Sequence, residues 1–202
     1  MSYAQHRKII DADSHVIELD DFLHEVAAKE HKDLIPLMSA QKELPVVQAG
    51  LDRGRELFEK RQKDPETMAK FEEAILDNTK SGWNRLGAFD PKERSHALDL
   101  FGYSLQWVLP TFSFHQIAHT DDLEVLEAGA LTLNKAMGSF CEADERLKAI
   151  GNVFMKGNQK TGEVYIRSEY GLGEGILLTC QYNDPSQNSL TYGPFPLSFF
   201  LD

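Results

Sequence analysis

Cysteine is scarce. The chain has two in 202 residues, Cys141 and Cys180, too few for a disulfide scaffold and best read as small buried hydrophobes. Basic charge is short as well: 21 Lys and Arg stand against 32 Asp and Glu, a net charge of −11. That balance excludes a basic face built to neutralise nucleic-acid phosphates or an anionic membrane. No apolar run approaches the roughly 20 residues of a membrane span. At the N-terminus, Ile9 and Ile10 are followed at once by Asp11, so there is no signal-peptide core of about 7–15 apolar residues. Also missing are internal repeats, low-complexity tracts, a G-x-G-x-x-G after a strand, a nucleophile elbow and a Cys-x-x-Cys pair. The expectation is a cytoplasmic protein with free thiols that meets a small molecule and neither nucleic acid nor membrane.

What is present suffices for a packed core. Hydrophobic residues make up 42% of the chain, which rules out a disordered acidic tail, and the length suits one domain, residues 1–202, or part of a larger one. Four segments read as strands: about 8–17, 105–110, 147–155 and 175–180, the last an almost continuous apolar run of the kind found in buried parallel sheets. Helical periodicity covers 20–35, with Phe22, Leu23, Val26 and Ala27 on one face. Residues 36–50 read as loop, and 51–76 as two helices broken at Asp64-Pro65. Asp90-Pro91 is a second Asp N-cap and Pro start signal, and its helix runs to Gly102, a helix-ending glycine. A long helix starts at Thr120 or Asp121 and reaches about Glu142. A short helix is expected within 161–170, and the residues after 180 read as loop. Strands alternating with helices predict α/β units with a parallel sheet, either a small open sheet or part of a barrel. The first strand is expected centrally, with the other three beside it in order.

Asp11-x-Asp13-x-His15 carries the chemistry. Residues i, i+2 and i+4 of a strand face one side, so three potential metal ligands are expected to point the same way from the end of the first strand. In a β/α barrel that end opens on the catalytic face. Carboxylate and imidazole donors suit Zn²⁺, Mn²⁺, Fe²⁺ or Mg²⁺ better than soft copper sites. The competing reading is a turn in which Asp13 and Ser14 satisfy backbone groups.

The stretch from Ile9 to Glu18, Ile-Ile-Asp-Ala-Asp-Ser-His-Val-Ile-Glu, resembles the opening of the amidohydrolase-related (amidohydrolase 2) proteins, the metal-dependent barrel enzymes that include aminocarboxymuconate-semialdehyde decarboxylase. Three further stretches are similar to the same family in the same order. They are Asp90-Pro91 through Arg94, Leu98, Asp99 and Gly102 to Val108-Leu109-Pro110-Thr111; Asn134 through Phe140-Cys141, Asp144, Arg146-Leu147 and Val153; and Gly173-x-Gly175-Ile176-Leu177-Leu178. The resemblance implies a partial (β/α)8 TIM barrel of about four parallel strands, with a helical insertion over about 20–90. It puts the family's first-strand metal pair on Asp13 and His15, where many members carry two histidines, and leaves Asp11 to support the site from behind. The family's remaining ligands, a His after a middle strand and an Asp after the last, fall beyond residue 202. A full barrel takes about 250 residues, so a C-terminally truncated member, prone to self-association and without turnover of its own, is expected. The function implied is a metal-dependent hydrolase or non-oxidative decarboxylase acting on a small carboxylated or cyclic substrate. The cofactor implied is a divalent metal, Zn²⁺ or Mn²⁺ first and Mg²⁺ or Fe²⁺ next. The alternatives are an inactive paralogue that binds a partner or a full-length relative, and a complete small α/β protein whose acidic motif is a turn.

Other residues read more plainly. His6, His24, His31 and His96 are read as surface or satisfied histidines. His115 and His119 follow the second strand on a loop that would open at the active face. Trp83 and Trp107 read as packing residues, and Arg85 as a solvated cation able to meet a substrate carboxylate. The charged run from Arg53 to Glu73 reads as a solvated helical face.

Overall fold

The computed structural model describes residues 4–35, 45–77, 84–113, 117, 120, 122–157, 164–165, 178–184 and 189–192, with side chains up to Asn152 apart from 75–77. In chain order the elements are β1 (Ile9–Val16), α1 (Pro45–Lys63), α2 (Pro65–Asp77), α3 (Pro91–Phe101), β2 (Tyr103–Pro110), α4 (Leu123–Cys141), β3 (Leu147–Ala149), β4 (Gly151–Gly157), β5 (Val164–Tyr165), β6 (Leu178–Asp184) and β7 (Ser189–Tyr192).

β1, β2 and β3 form a parallel sheet in that order. β4 continues β3 after Ile150, whose N–H still donates to the Val108 carbonyl of β2, and then pairs in parallel with β6. Short antiparallel partners flank this second sheet, β5 beside β4 and β7 beside β6. The parallel order therefore follows the chain, as expected. The central place expected for β1 is not observed: among the described residues it pairs with β2 on one side only. α3 and α4 cover one face. Val16, Val108 and Leu147 of the strands pack with Leu98, Leu133, Met137 and Phe140 of the helices. Asn134 of α4 locks the β3–β4 junction, accepting from Asn152 N and donating to Asn152 O.

The start and stop signals act as the chemistry predicts. The Asp90 side chain accepts from Glu93 N, Pro91 opens α3, and Gly102 ends it at φ 73° with its N–H on Leu98 O. α4 is capped by Asp122, while Thr120 accepts from Asp122 N instead of capping. Four expectations are corrected. Residues 20–35 make separate helical turns and a 3-10 segment at Lys29–His31, because Ala28 is extended (φ −60°, ψ 150°) and breaks the run. The apolar spacing there still delivers Leu23 and Ile35 to the core. α1 begins at Pro45 inside the expected loop, proline being tolerated in a first helical turn. Val164 and Tyr165 are strand rather than helix. After β6 the chain returns as β7, where Ser-Leu-Thr-Tyr alternates with period two.

Two polar clusters hold the helices in place. Arg61 of α1 makes a bidentate pair with Glu93 of α3 at 2.5 and 2.7 Å, with both side chains 1% exposed. The same guanidinium reaches Asn84 Oδ1 and lies over the Phe58 and Phe71 rings. Asp144, in the turn before β3, accepts from Ser95 of α3 and from the Arg146 backbone and guanidinium. The Arg146 contact holds its carboxyl well below the usual carboxylate range.

Arg61→Met strands a buried carboxylate and is expected to cost about 3–5 kcal/mol in urea denaturation. The double variant with Glu93→Met should lose less than the sum of the two single changes, and simple additivity would show that the pair is not coupled. The depressed Asp144 adds stability that is complete above about pH 4 and is lost as pH falls below that toward its lower folded value. The stability gap between wild type and Asp144→Asn should therefore narrow below about pH 4. A gap that stays constant with pH would remove this role.

Candidate functional site

The first strand is not a flat ribbon. Asp11 pairs with Gln106 and Ser14 with Val108, so three steps of β1 oppose two of β2, a bulge. Before it, Ile9 and Asp11 are the less exposed positions; after it, Ser14 and Val16 are buried while Asp13 and His15 face out. The expected single face for Asp11, Asp13 and His15 is thus corrected. The bulge changes the parity of the strand, leaving Asp11 on the helix-covered side and turning Asp13 and His15 to the other. Among the described residues no three His, Cys, Asp or Glu side chains form a metal-binding group.

Asp13 and His15 do converge. His15 Nε2 lies 3.4 Å from Asp13 Oδ1, with side chains 43% and 90% exposed. His15 Nδ1 is 3.1 Å from the Pro110 carbonyl, at the end of β2. Thr111 Oγ1 is 3.4 Å from the same nitrogen and donates its own hydrogen to Val16 O. Both neighbours of Nδ1 are therefore acceptors, which assigns the hydrogen to Nδ1. A neutral His15 then presents the Nε2 lone pair to a carboxylate oxygen. Two acceptors facing each other attract whatever positive charge fits between them, a proton or a cation. One imidazole nitrogen and one carboxylate oxygen are donor types that Zn²⁺ and Mn²⁺ accept, two of the three or four protein ligands usual for zinc.

Behind the bulge sits a buried arginine. Arg94 of α3 donates through Nε to Gly87 O (2.7 Å), through Nη1 to Ser14 Oγ and to Gln106 Oε1 (3.1 Å), and through Nη2 to His15 O (2.7 Å). Its guanidinium carbon is 5.6 Å from the Phe140 ring centre. Gln106 passes the charge on, donating to Asp11 Oδ2 at 2.8 Å, and Asp11 Oδ1 accepts from Asp13 N. Burial pulls Arg94 down to about 10, partly offset by Asp11, so it remains charged at neutral pH. Asp11 therefore touches the Asp13 backbone from the side opposite the Asp13 and His15 side chains.

A second buried charge ties the rims of the two strands together. Glu18, 1% exposed, accepts from the backbone N–H groups of Thr111, Phe112 and Ser113 and from Ser113 Oγ. Burial pushes its carboxyl above the usual range, while the Ser113 and Phe112 donors pull it back. Three successive backbone donors form a concave anion seat, and the loop after β2 is closed over the end of β1. The sequence assigned no role to Glu18, Arg94 or Gln106. Their burial was the missing signal, and it is not a local property of the chain.

The remaining sequence candidates separate from the site. His24 is half-buried and meets the Ile35 carbonyl. His31 is half-buried, and His96 pairs with Glu72 on the surface. Arg85 is exposed and Trp107 half-buried. Cys141 is buried, its thiol pushed up to about 12 by burial, which leaves it protonated and unreactive. His115, His119, Trp83 and the Cys180 side chain lie outside the described residues.

A family model described as a domain of unknown function, DUF1824, matches residues 127–200. That stretch begins inside α4 and does not include β1, which carries Asp13 and His15. No curated protein matches the chain.

Glu18→Gln places an amide donor against a cluster of donors. It is expected to lower stability by about 1–3 kcal/mol, the cost of an unmatched buried polar group, read from urea midpoints. No change would mean that the carboxylate is not what the loop is built around.

Proposed function

We propose that the chain binds a divalent metal through Asp13 and His15 and belongs to a metal-dependent hydrolase or non-oxidative decarboxylase of the amidohydrolase-related type, with a partial TIM-barrel fold. The carrying observation is the 3.4 Å approach of His15 Nε2 to Asp13 Oδ1, with the other ring nitrogen tied to the Pro110 carbonyl. Metal-ligating histidines commonly anchor their second nitrogen in this way. The chain-order parallel run β1-β2-β3 supports the barrel reading, because barrel strands neighbour in sequence order. Asp13 and His15 also stand in the C-terminal half of β1, the end where such enzymes carry their chemistry.

Asp13 and His15 would hold the ion. Once bound, a metal of this kind activates water or polarises a substrate oxygen. His15 contributes a fixed tautomer, held by Pro110 and Thr111. Asp13 contributes charge, making the site harder than a two-histidine pair. Glu18 keeps the loop after β2 folded down, so Thr111 stays beside the His15 ring.

The test is isothermal titration of the full chain with Mn²⁺ and Zn²⁺, alongside decarboxylation and amide or lactone hydrolysis assays on small carboxylated substrates. Binding weakened about tenfold or more by His15→Ala is the expected result, and any turnover that the wild-type chain shows should fall with it. Metal binding without turnover favours the second reading, a non-catalytic paralogue that binds a partner or a full-length relative. Absence of binding by the wild-type chain overturns the metal reading.

A further inference from the structure

We propose that Arg94 is the positioning residue of the Asp13–His15 site: from behind β1 its guanidinium holds the bulge that turns both side chains to the outward face. The inference rests on the reading of Asp13 and His15 as a cation site.

Four observations carry it. First, the bulge decides the face. Asp11 lies on the helix-covered side, and unbroken alternation would send Asp13 and His15 after it. The extra residue between Asp11 and Ser14 reverses that. Secondly, Arg94 grips the strand just past the irregularity, at Ser14 Oγ and at the carbonyl of His15 itself. Thirdly, it grips the strand's other end indirectly. Gln106 accepts from Arg94 and donates to Asp11, and Asp11 accepts from the Asp13 N–H. Every residue from Asp11 to His15 except Ala12 is thus tied, directly or through Gln106, to one planar group. Finally, the guanidinium is itself fixed. Gly87 O holds Nε, and Gly87 sits at φ +69°, so close that a Cβ there would lie 2.3 Å from Arg94 Cα.

Planarity matters to this role. Nε, Nη1 and Nη2 point to four oxygens on three separate segments, around Gly87, β1 and β2. A lysine carries its donors on one atom and cannot bridge them. Lysine would keep the charge and lose the bracket.

The experiment compares wild type, Arg94→Lys and the milder Ser14→Ala, each as the full chain and each checked for folding by circular dichroism. Two readouts are taken: Mn²⁺ affinity from the electron paramagnetic resonance of free Mn²⁺, and the His15 ring tautomer from long-range ¹H–¹⁵N spectra. The His15 signal is assigned by its loss in His15→Ala. Wild type should show the Nδ1–H form. Arg94→Lys should weaken Mn²⁺ binding about tenfold or more and average the tautomer signal, and Ser14→Ala should shift both in the same direction by less. If Arg94→Lys does not fold, Ser14→Ala carries the comparison. Folded variants with unchanged Mn²⁺ affinity and an unchanged His15 signal would show that Arg94 only stabilises the fold, and the proposal is then wrong. Should wild type bind no Mn²⁺, the cation reading fails by itself. The tautomer spectra then decide Arg94 alone: a shifted His15 signal upholds its positioning role and an unshifted one overturns it.

Discussion

One buried positive charge organises the front half of this protein. Moving a guanidinium out of water is expensive unless its donors are met, and Arg94 meets neutral oxygens from three segments before any carboxylate: Gly87 O, Ser14 Oγ, Gln106 Oε1 and His15 O. Asp11 balances the charge through Gln106, and the Phe140 ring lies beneath it. Satisfying that one group fixes the loop before α3, the seat of α3 on the sheet and the local course of β1 together. A network of this kind is cooperative, since each partner is held by another.

The residue beside it works in the other direction. Successive helix positions diverge by about 100°, so Glu93 faces α1 while Arg94 faces the strands. Glu93 pairs with Arg61 and also accepts from Gly87 N and Gln62. The first turn of α3 is therefore a junction, with α1 tied on one side and β1 and β2 on the other. Glu18 adds a third buried charge that closes the loop after β2 onto the end of β1. Arg94 and Glu18 act on the strand that presents Asp13 and His15 or on its end, and Glu93 reaches it only through Gly87, whose carbonyl holds Arg94. The apolar core made with α4 supplies the bulk of the burial, and the charged groups choose among the ways that core could be dressed.

The domain of unknown function matched over residues 127–200 takes in most of α4 and the strands after it, whereas the candidate ligands stand on β1. The two are joined physically through β2, which pairs with β1 on one side and β3 on the other, and through Phe140 of α4 under Arg94. A function assigned to Asp13 and His15 therefore depends on both halves of the described structure.

Local rules carried far along this chain. Asp90-Pro91 and Gly102 delimit α3, the break at Asp64-Pro65 separates α1 from α2, and β-branched and apolar runs mark β1, β2, β3 with β4, and the start of β6, which continues to Asp184 past its expected end, because caps, prolines and side-chain periodicity act over a few residues. The motif Asp11-x-Asp13-x-His15 was visible for the same reason, and with it the pairing of Asp13 and His15. What periodicity could not supply was the bulge, since an extra residue in β1 is defined only against the register of β2, some 95 residues away. The same distance hid Arg94, Gln106 and Glu18, whose hydrogen bonds cross roughly 10 to 95 positions. A run of turns over 20–35 was mistaken for a helix because apolar spacing reports which side chains are buried, not whether the backbone bonds are continuous. Sequence alone determined which residues could serve as ligands and the order of the strands. Only the tertiary structure decided that two of the three acidic and imidazole groups share a face, because a buried charge has to be satisfied by partners drawn from the whole fold.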